Sequence, residues 1–222
     1  KCNSMIKWDA LLRFAAEINA DFIATGHYAR IEKNDMGFFL KKGIDTDKDQ
    51  SYMLWDIKKE QLEKTIFPIG NFTKNQVRKY AAKYKLETAT RAESQDLCFV
   101  LGSDYNQFLH EIIPDRMQSI SDGEIKDENG KIVGRHNGFT KYTIGQRKGL
   151  GLTYPEPRYV KKINPIDNTI TIAKKDSIYS NACTAKDINF LFNDLEFPME
   201  FSAKIRYNSK SCKAIINFIN DE

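Results

Sequence analysis

The sequence predicts an α/β fold in its first third and a β-rich fold from Asp115 onward, and three observations predict it. Apolar residues at helical spacing are followed at once by a short apolar run ending in glycine, the helix–strand unit from which open parallel sheets are built. Beyond Asp115 the texture changes to short alternating segments separated by turn dipeptides. The chain of 222 residues, 41% hydrophobic and 29% charged, has the balance of a globular protein and enough apolar content to bury real cores.

Taken in order, Trp8, Leu11, Leu12, Ala15 and Ile18 recur at helical spacing, which predicts an amphipathic helix over Met5 to Asn19. Asp21-Phe22-Ile23-Ala24-Thr25 reads as a buried parallel strand ending in Gly26-His27, and ligands bind at the carboxyl ends of such strands. Phe38-Phe39-Leu40 is a further strand, reached through the turn Lys33-Asn34-Asp35-Met36-Gly37. Asp47 or Asp49 then caps a helical stretch through Tyr52, Met53 and Trp55. Thr73-Lys74-Asn75-Gln76 has the form of a capping box and starts a helix from Lys74 to Lys85 with Val77, Tyr80 and Ala81 inward. Ser103 caps one more helix, carrying Phe108, Leu109, Ile112 and Ile113.

In the β-rich part, Glu124-Ile125-Lys126 and Lys131-Ile132-Val133 flank Asn129-Gly130, a hairpin signal because both turn residues tolerate positive φ. Tyr159 to Ile163 and Thr169 to Ala173 flank Asp167-Asn168 in the same way, and Phe201 to Tyr207 and Ala214 to Ile219 read as closing strands. Both ends of the chain read as cut.

The chain has no apolar run long enough for a membrane helix and no basic-then-apolar leader, so a cytoplasmic location is expected. The net charge of +4 permits a polyanionic partner without requiring one. Its distribution is more telling, with cations gathered in Lys141-Tyr142-Thr143-Ile144-Gly145-Gln146-Arg147-Lys148-Gly149 and again at Arg158, Lys161 and Lys162. Four cysteines without a Cys-x-x-Cys pair, and the separated His27, His110 and His136, exclude a sequence-legible metal site.

Each candidate segment has two readings. In Thr25-Gly26-His27-Tyr28 the glycine lets a nucleotide approach the backbone, or is an ordinary turn residue beside a satisfied histidine. Lys48-Asp49-Gln50-Ser51 offers donors to an anion, or simply caps the helical stretch after it. The loop Gly145 to Gly151 is flexible and basic, suited to a phosphate backbone, but lacks the Gly-Lys-Ser/Thr ending of a nucleotide P-loop. Cys183 and Cys212, within strand-like segments, read as inert small hydrophobes, whereas the polar neighbours of Cys2 and Cys98 leave them balanced between reactive and inert.

Together, Cys2-Asn3, Ala24-Thr25-Gly26-His27-Tyr28, Lys48-Asp49-Gln50-Ser51-Tyr52, Phe67-Pro68-Ile69-Gly70, Cys98-Phe99, Gly145 to Gly151 and Arg206-Tyr207 resemble, in order, the tRNA-specific 2-thiouridylases. The resemblance implies three parts: residues 1–101 as part of a nucleotide-binding α/β domain with a parallel sheet, 102–174 as a small central β-rich domain, and 175–222 as the start of an incomplete C-terminal β-barrel. It implies that ATP, with Mg2+, adenylates the C2 oxygen of the wobble uridine in tRNA. It further implies that Cys98 receives sulfur as a persulfide from a donor or relay protein, and that Cys2 assists release by forming a disulfide with it. Gly26 is then expected to touch ATP, His27 the substrate nucleotide, and Lys48, Asp49, Gln50, Arg206 and Tyr207 the tRNA.

The family's Ser-Gly-Gly-x-Asp-Ser phosphate loop is absent, as is the Asn-x-Asp before its first catalytic cysteine, so this polypeptide is not expected to thiolate tRNA unaided. Two rivals stand beside this reading. An RNA-free thiol sulfurtransferase leaves the basic glycine loop and Arg206-Tyr207 without work, and a non-catalytic RNA-binding module makes Cys98 structural.

Overall fold

A computed structural model describes residues 2–90, 105–192 and 195–218. Cys98, Phe99 and Ser103 lie outside the described residues. The chain divides into two compact units, one made of Lys1–Arg91 with Ala185–Glu222 and the other of Ala92–Thr184.

The first unit opens with a π-helical segment, Cys2–Trp8, that runs into α1 (Asp9–Glu17). Only one side of the predicted stripe is inward: Trp8 and Ala15 are buried and Leu12 packs on them, whereas Leu11 and Ile18 are exposed. The helix ends where predicted, through Asn19 in the left-handed region (φ 55°), with Ala20 N donating to Ala15 O and Asn19 N to Ala16 O. This paired bonding satisfies carbonyls that a helix end otherwise leaves open.

Strand β1 (Ile23–Ala24) follows and lies parallel to β4 (Thr65–Ile66), so the expected buried parallel strand is present but shorter. Between them come the hairpin β2 (Ala29–Asn34) and β3 (Gly37–Lys42), and α2 (Lys59–Glu63). Lys33 and Asn34, read from sequence as turn, complete β2. The turn itself is Asp35-Met36, closed by Asn34 Oδ1 accepting from Met36 N and by Gly37 at φ 121°. Trp8, Ala15, Ile23, Ala29, Leu54, Ile57, Leu62 and Phe67 form the core, and the Trp8 indole N–H donates to Thr65 Oγ1 at 2.9 Å.

Helix α3 (Lys74–Lys83) starts at the predicted capping box, Thr73 with Gln76, and Asp45 Oδ2 accepts from Lys74 N. Its expected apolar face is corrected: α3 has no buried residue, and Tyr80 is exposed, resting edge-on against Phe72. The helix has too few large apolar side chains to sink into a core.

The carboxyl-terminal part of this unit is a two-stranded antiparallel hairpin, with β9 (Met199–Ala203) and β10 (Cys212–Ile216) numbered in chain order. The strands are shorter than predicted, Arg206 and Tyr207 lie in the connection, and no closed barrel forms among the described residues. Asn189 Nδ2 donates to the Trp55 and Ile57 carbonyls, and Leu191 packs on the core, so this late segment is stitched to the early one.

Among the described residues of the second unit, α4 (Tyr105–Ile112) and α5 (Pro114–Ser119) come first, the latter started by proline at its first turn. Its four-stranded sheet comprises β5 (Gly123–Lys126), β6 (Ile132–His136), β7 (Tyr159–Asn164) and β8 (Thr169–Ala173), ordered β6-β5-β8-β7 with β5 and β8 parallel. Both predicted hairpins form; Gly130 (φ 82°) and Asn168 (φ 49°) supply the positive φ. Ile125, Leu150, Val160, Ile170 and Ile172 are its core.

Candidate functional site

At the carboxyl end of β1 the chain leaves the sheet through Thr25, Gly26 and His27. The Thr25 hydroxyl and His27 Nδ1 lie 2.9 Å apart, and the imidazole sits against the Trp8 and Phe67 rings. Burial, and secondarily the Lys7 charge, hold the His27 pKa below the usual imidazole range, so the ring is neutral at neutral pH and serves as a hydrogen-bonding rather than a charged group. Gly26 has no positive φ; what distinguishes it is space, since among the described residues no atom beyond its own and those of its chain neighbours lies within 4 Å of where a Cβ would stand. Open backbone at a strand's carboxyl end fits the approach of a nucleotide.

The Lys48–Ser51 loop is built into the same unit by reciprocal bonds. Tyr28 N donates to Gln50 Oε1 at 3.0 Å, and Gln50 N donates to Tyr28 O at 2.9 Å. Asp49 is buried, and its carboxylate accepts from Gly43 N at 2.9 Å, from Ser51 N at 3.2 Å and from the Ser51 hydroxyl at 2.8 Å. That carboxylate therefore organises its own loop. Gly43 is tight against the loop: a Cβ there would lie 2.7 Å from Tyr28 O.

The connection after β9 is joined to this loop by two hydroxyls. Tyr207 Oη donates to Asp49 O at 3.2 Å and Tyr52 Oη donates to Ile205 O at 2.8 Å. The two rings stand 6.0 Å apart, with Lys204 Nζ over both. Lys48, Asp49 and Gln50 are thus brought together with Tyr207 across a sequence separation of 158 residues, and the exposed Arg206 stands beside Tyr207. Tyr52 and Lys204 were not among the expected site residues, although Tyr52 closes the Lys48–Tyr52 segment and Lys204 stands two residues before Arg206.

In the second unit, the basic loop is an ordered turn. Gly145 N donates to Val160 O and Val160 N to Gln146 O, while Gly145, Gly149 and Gly151 all take positive φ. Leu150 anchors the loop in the core and leaves Arg147 and Lys148 exposed.

The cysteine expectations divide. The Cys2 backbone starts the π-helical segment, and Cys98 lies outside the described residues, so the pair is not juxtaposed by observation. Cys183 and Cys212 are exposed, not buried in strands: Cys183 lies outside any strand, and Cys212 starts β10, the second strand of the two-stranded hairpin, which leaves it open to solvent. No cluster of three metal-ligating side chains occurs among the described residues, and no helix there is long and apolar enough to cross a membrane.

Two family models match: the tRNA methyl transferase HUP domain over residues 1–102, and the tRNA methyl transferase PRC-barrel domain over residues 106–174. The tRNA-specific 2-thiouridylase MnmA of Carboxydothermus hydrogenoformans is 43% identical over 224 residues, covering 100% of this chain and 60% of the relative. Its namesake in Geotalea uraniireducens is 44% identical over 208 residues, covering 93% of this chain and 55% of the relative. That of Chlorobium luteolum is 42% identical over 216 residues, covering 97% and 59%. The chain thus spans about 60% of the length of the curated relatives it matches.

Proposed function

Because this chain belongs to the tRNA-specific 2-thiouridylase family, we propose that it forms part of an enzyme that replaces the C2 oxygen of the wobble uridine in tRNA with sulfur, at the expense of ATP. The observation that supports this best is the bonding of the Lys48–Gln50 loop to the Arg206–Tyr207 connection, which assembles two distant motifs into one surface. The matching models are described by methyl transfer and the relatives by thiolation. The cysteines favour thiolation, since a thiol can hold transferable sulfur and a methyl transfer has no need of a thiol pair.

Gly26 would admit ATP, whose adenylyl group, placed on the C2 oxygen, turns a poor leaving group into AMP. His27, neutral and fixed by Thr25, would hydrogen-bond the substrate nucleotide beside it. Lys48, Gln50, Arg206 and Tyr207 would hold the tRNA, with Asp49 shaping the loop that presents them. A mobilised base is needed in all cases, because C2 is unreachable within a stacked anticodon.

Cys98 would carry the sulfur as a persulfide supplied by a donor protein. Its terminal sulfur attacks C2 and AMP leaves; the Cys2 thiolate then attacks the Cys98 sulfur, forming the Cys2–Cys98 disulfide and leaving sulfur on the base. In the alternative order, Cys2 attacks first and releases hydrosulfide, which attacks C2. Both routes end with the same disulfide and the same product, and a thiol reductant resets the pair.

The test is ATP-dependent formation of 2-thiouridine by the full-length protein on unmodified tRNA, measured by nucleoside mass spectrometry. Cys98→Ser and Cys2→Ser are expected to abolish product, while Cys183→Ser and Cys212→Ser leave it unchanged. Full thiolation by Cys98→Ser would make the chain a non-catalytic RNA-binding module, and thiolated product without any RNA requirement would favour the small-molecule sulfurtransferase.

A further inference from the structure

Lys204 has no part in the reading above, yet it occupies the centre of the joined surface. Its ammonium nitrogen lies 5.2 Å from the Tyr207 ring centroid and 5.8 Å from that of Tyr52. Both rings are pinned at their far ends, Tyr207 Oη to the Asp49 carbonyl and Tyr52 Oη to the Ile205 carbonyl. The rings therefore make a fixed holder contributed by two segments distant in sequence.

No carboxylate among the described residues pairs with Lys204. Asp49, the acid built into the same cluster, has its carboxylate engaged by Gly43 and Ser51. Aromatic faces attract a cation without cancelling its charge and without supplying an acceptor for its three N–H donors. A half-buried lysine held in this way is oriented, with its charge left uncompensated, between the loop of Lys48 and the turn of Arg206.

We propose that Lys204 is a phosphate-binding residue that contacts the RNA backbone, with Tyr52 and Tyr207 as its holder. The inference rests on the reading that the Lys48–Gln50 and Arg206–Tyr207 segments face RNA, and it adds a contact that neither motif contains. A compact ammonium suits a phosphate oxygen and confers no base preference, so Lys204 supplies affinity and register.

The test is the salt dependence of binding between the full-length protein and unmodified tRNA transcript, from 50 to 200 mM KCl. Lys204→Met is expected to lower the slope of log K against log[salt] by about 0.7 to 0.9, the release of counterions at one phosphate, so the affinity lost across that range shrinks about threefold relative to the unaltered protein. Lys204→Arg is expected to retain the slope. A weaker affinity with an unchanged slope in Lys204→Met would make the residue structural and overturn the proposal.

Arg206→Ala separates the two claims. If it leaves the slope unchanged while Lys204→Met lowers it, the Lys204 contact stands and the role given to Arg206 falls; the converse removes only Lys204. Absence of salt-dependent binding by the unaltered protein removes both. A measurement free of mutation is acylation of lysines in the unaltered protein with an amine-reactive ester, read by peptide mass spectrometry. Several-fold protection of Lys204 by tRNA supports the contact, and equal labelling with and without tRNA overturns it.

Discussion

Replacing Asp49 by alanine should destabilise the first unit whatever it does to chemistry. The carboxylate is buried and receives the Gly43 N–H, the Ser51 N–H and the Ser51 hydroxyl. Alanine removes the acceptor of the Gly43 N–H in a crowded position, where an added Cβ would already lie 2.7 Å from Tyr28 O, so no side-chain shift refills the site. Each hydrogen bond to a charged acceptor contributes about 1.5–3 kcal/mol, and an orphaned buried donor costs about 1–3 kcal/mol; these overlap rather than add, giving a loss of about 2–4 kcal/mol. Asparagine keeps an oxygen for the two backbone donors, and the Ser51 hydroxyl can turn to accept from the new amide, so the loss falls to about 1 kcal/mol. Urea unfolding followed by tryptophan fluorescence reads this unit alone, because both tryptophans of the chain, Trp8 and Trp55, belong to it. Alanine within 0.5 kcal/mol of the unaltered protein, a margin typical of a neutral surface change, or asparagine worse than alanine, would refute the reasoning.

Two further outcomes concern the second unit. Gly123→Ala would place a Cβ 2.2 Å from the buried His136 ring and 2.4 Å from Asn168 O, so a loss of about 3 kcal/mol is expected, checked by amide exchange in β5 and β6. His136 itself has its pKa lowered, chiefly by burial, with the Asn168 backbone and the Asp122 charge acting more weakly in the other direction. The unfolded chain therefore binds a proton more readily than the folded one, so the stability this residue contributes is present above the ordinary imidazole pKa and is lost as pH falls through it. Exchange in β5 and β6, corrected for the intrinsic rate, should accelerate from pH 7.5 to 5.5 and lose that acceleration in His136→Phe; identical protection at both pH values in the unaltered protein would contradict the assignment.

Local chemistry was the legible part of this chain. The Thr73–Gln76 box, the end of α1 at Asn19 and the turns at Gly130 and Asn168 depend on residues a few positions apart, and each formed where their side chains or φ preferences demand. Burial was less legible, because it depends on partners elsewhere: Tyr80 and Cys183 have apolar character but stay exposed. Short elements such as α2 and β4 escaped because five or two residues do not establish a period. In the site, motif residues were visible individually. The roles of Tyr52 and Lys204 were not, since both depend on contacts that span more than 150 residues, as the 153-residue separation of the Tyr52–Ile205 bond shows.

The first unit is interrupted in sequence: residues up to Arg91 are completed by residues from Ala185 onward. During synthesis at about 5–20 residues per second, the 158 residues between Asp49 and Tyr207 take about 8 to 30 s to append. For that interval the Lys48–Ser51 loop exists without its partner, and the intervening unit has time to fold on its own. The surface shared by the Lys48–Ser51 loop and Tyr207 is therefore assembled only after the intervening unit has been made, so a ribosome stalled before Tyr207 releases a chain in which that surface is not yet built.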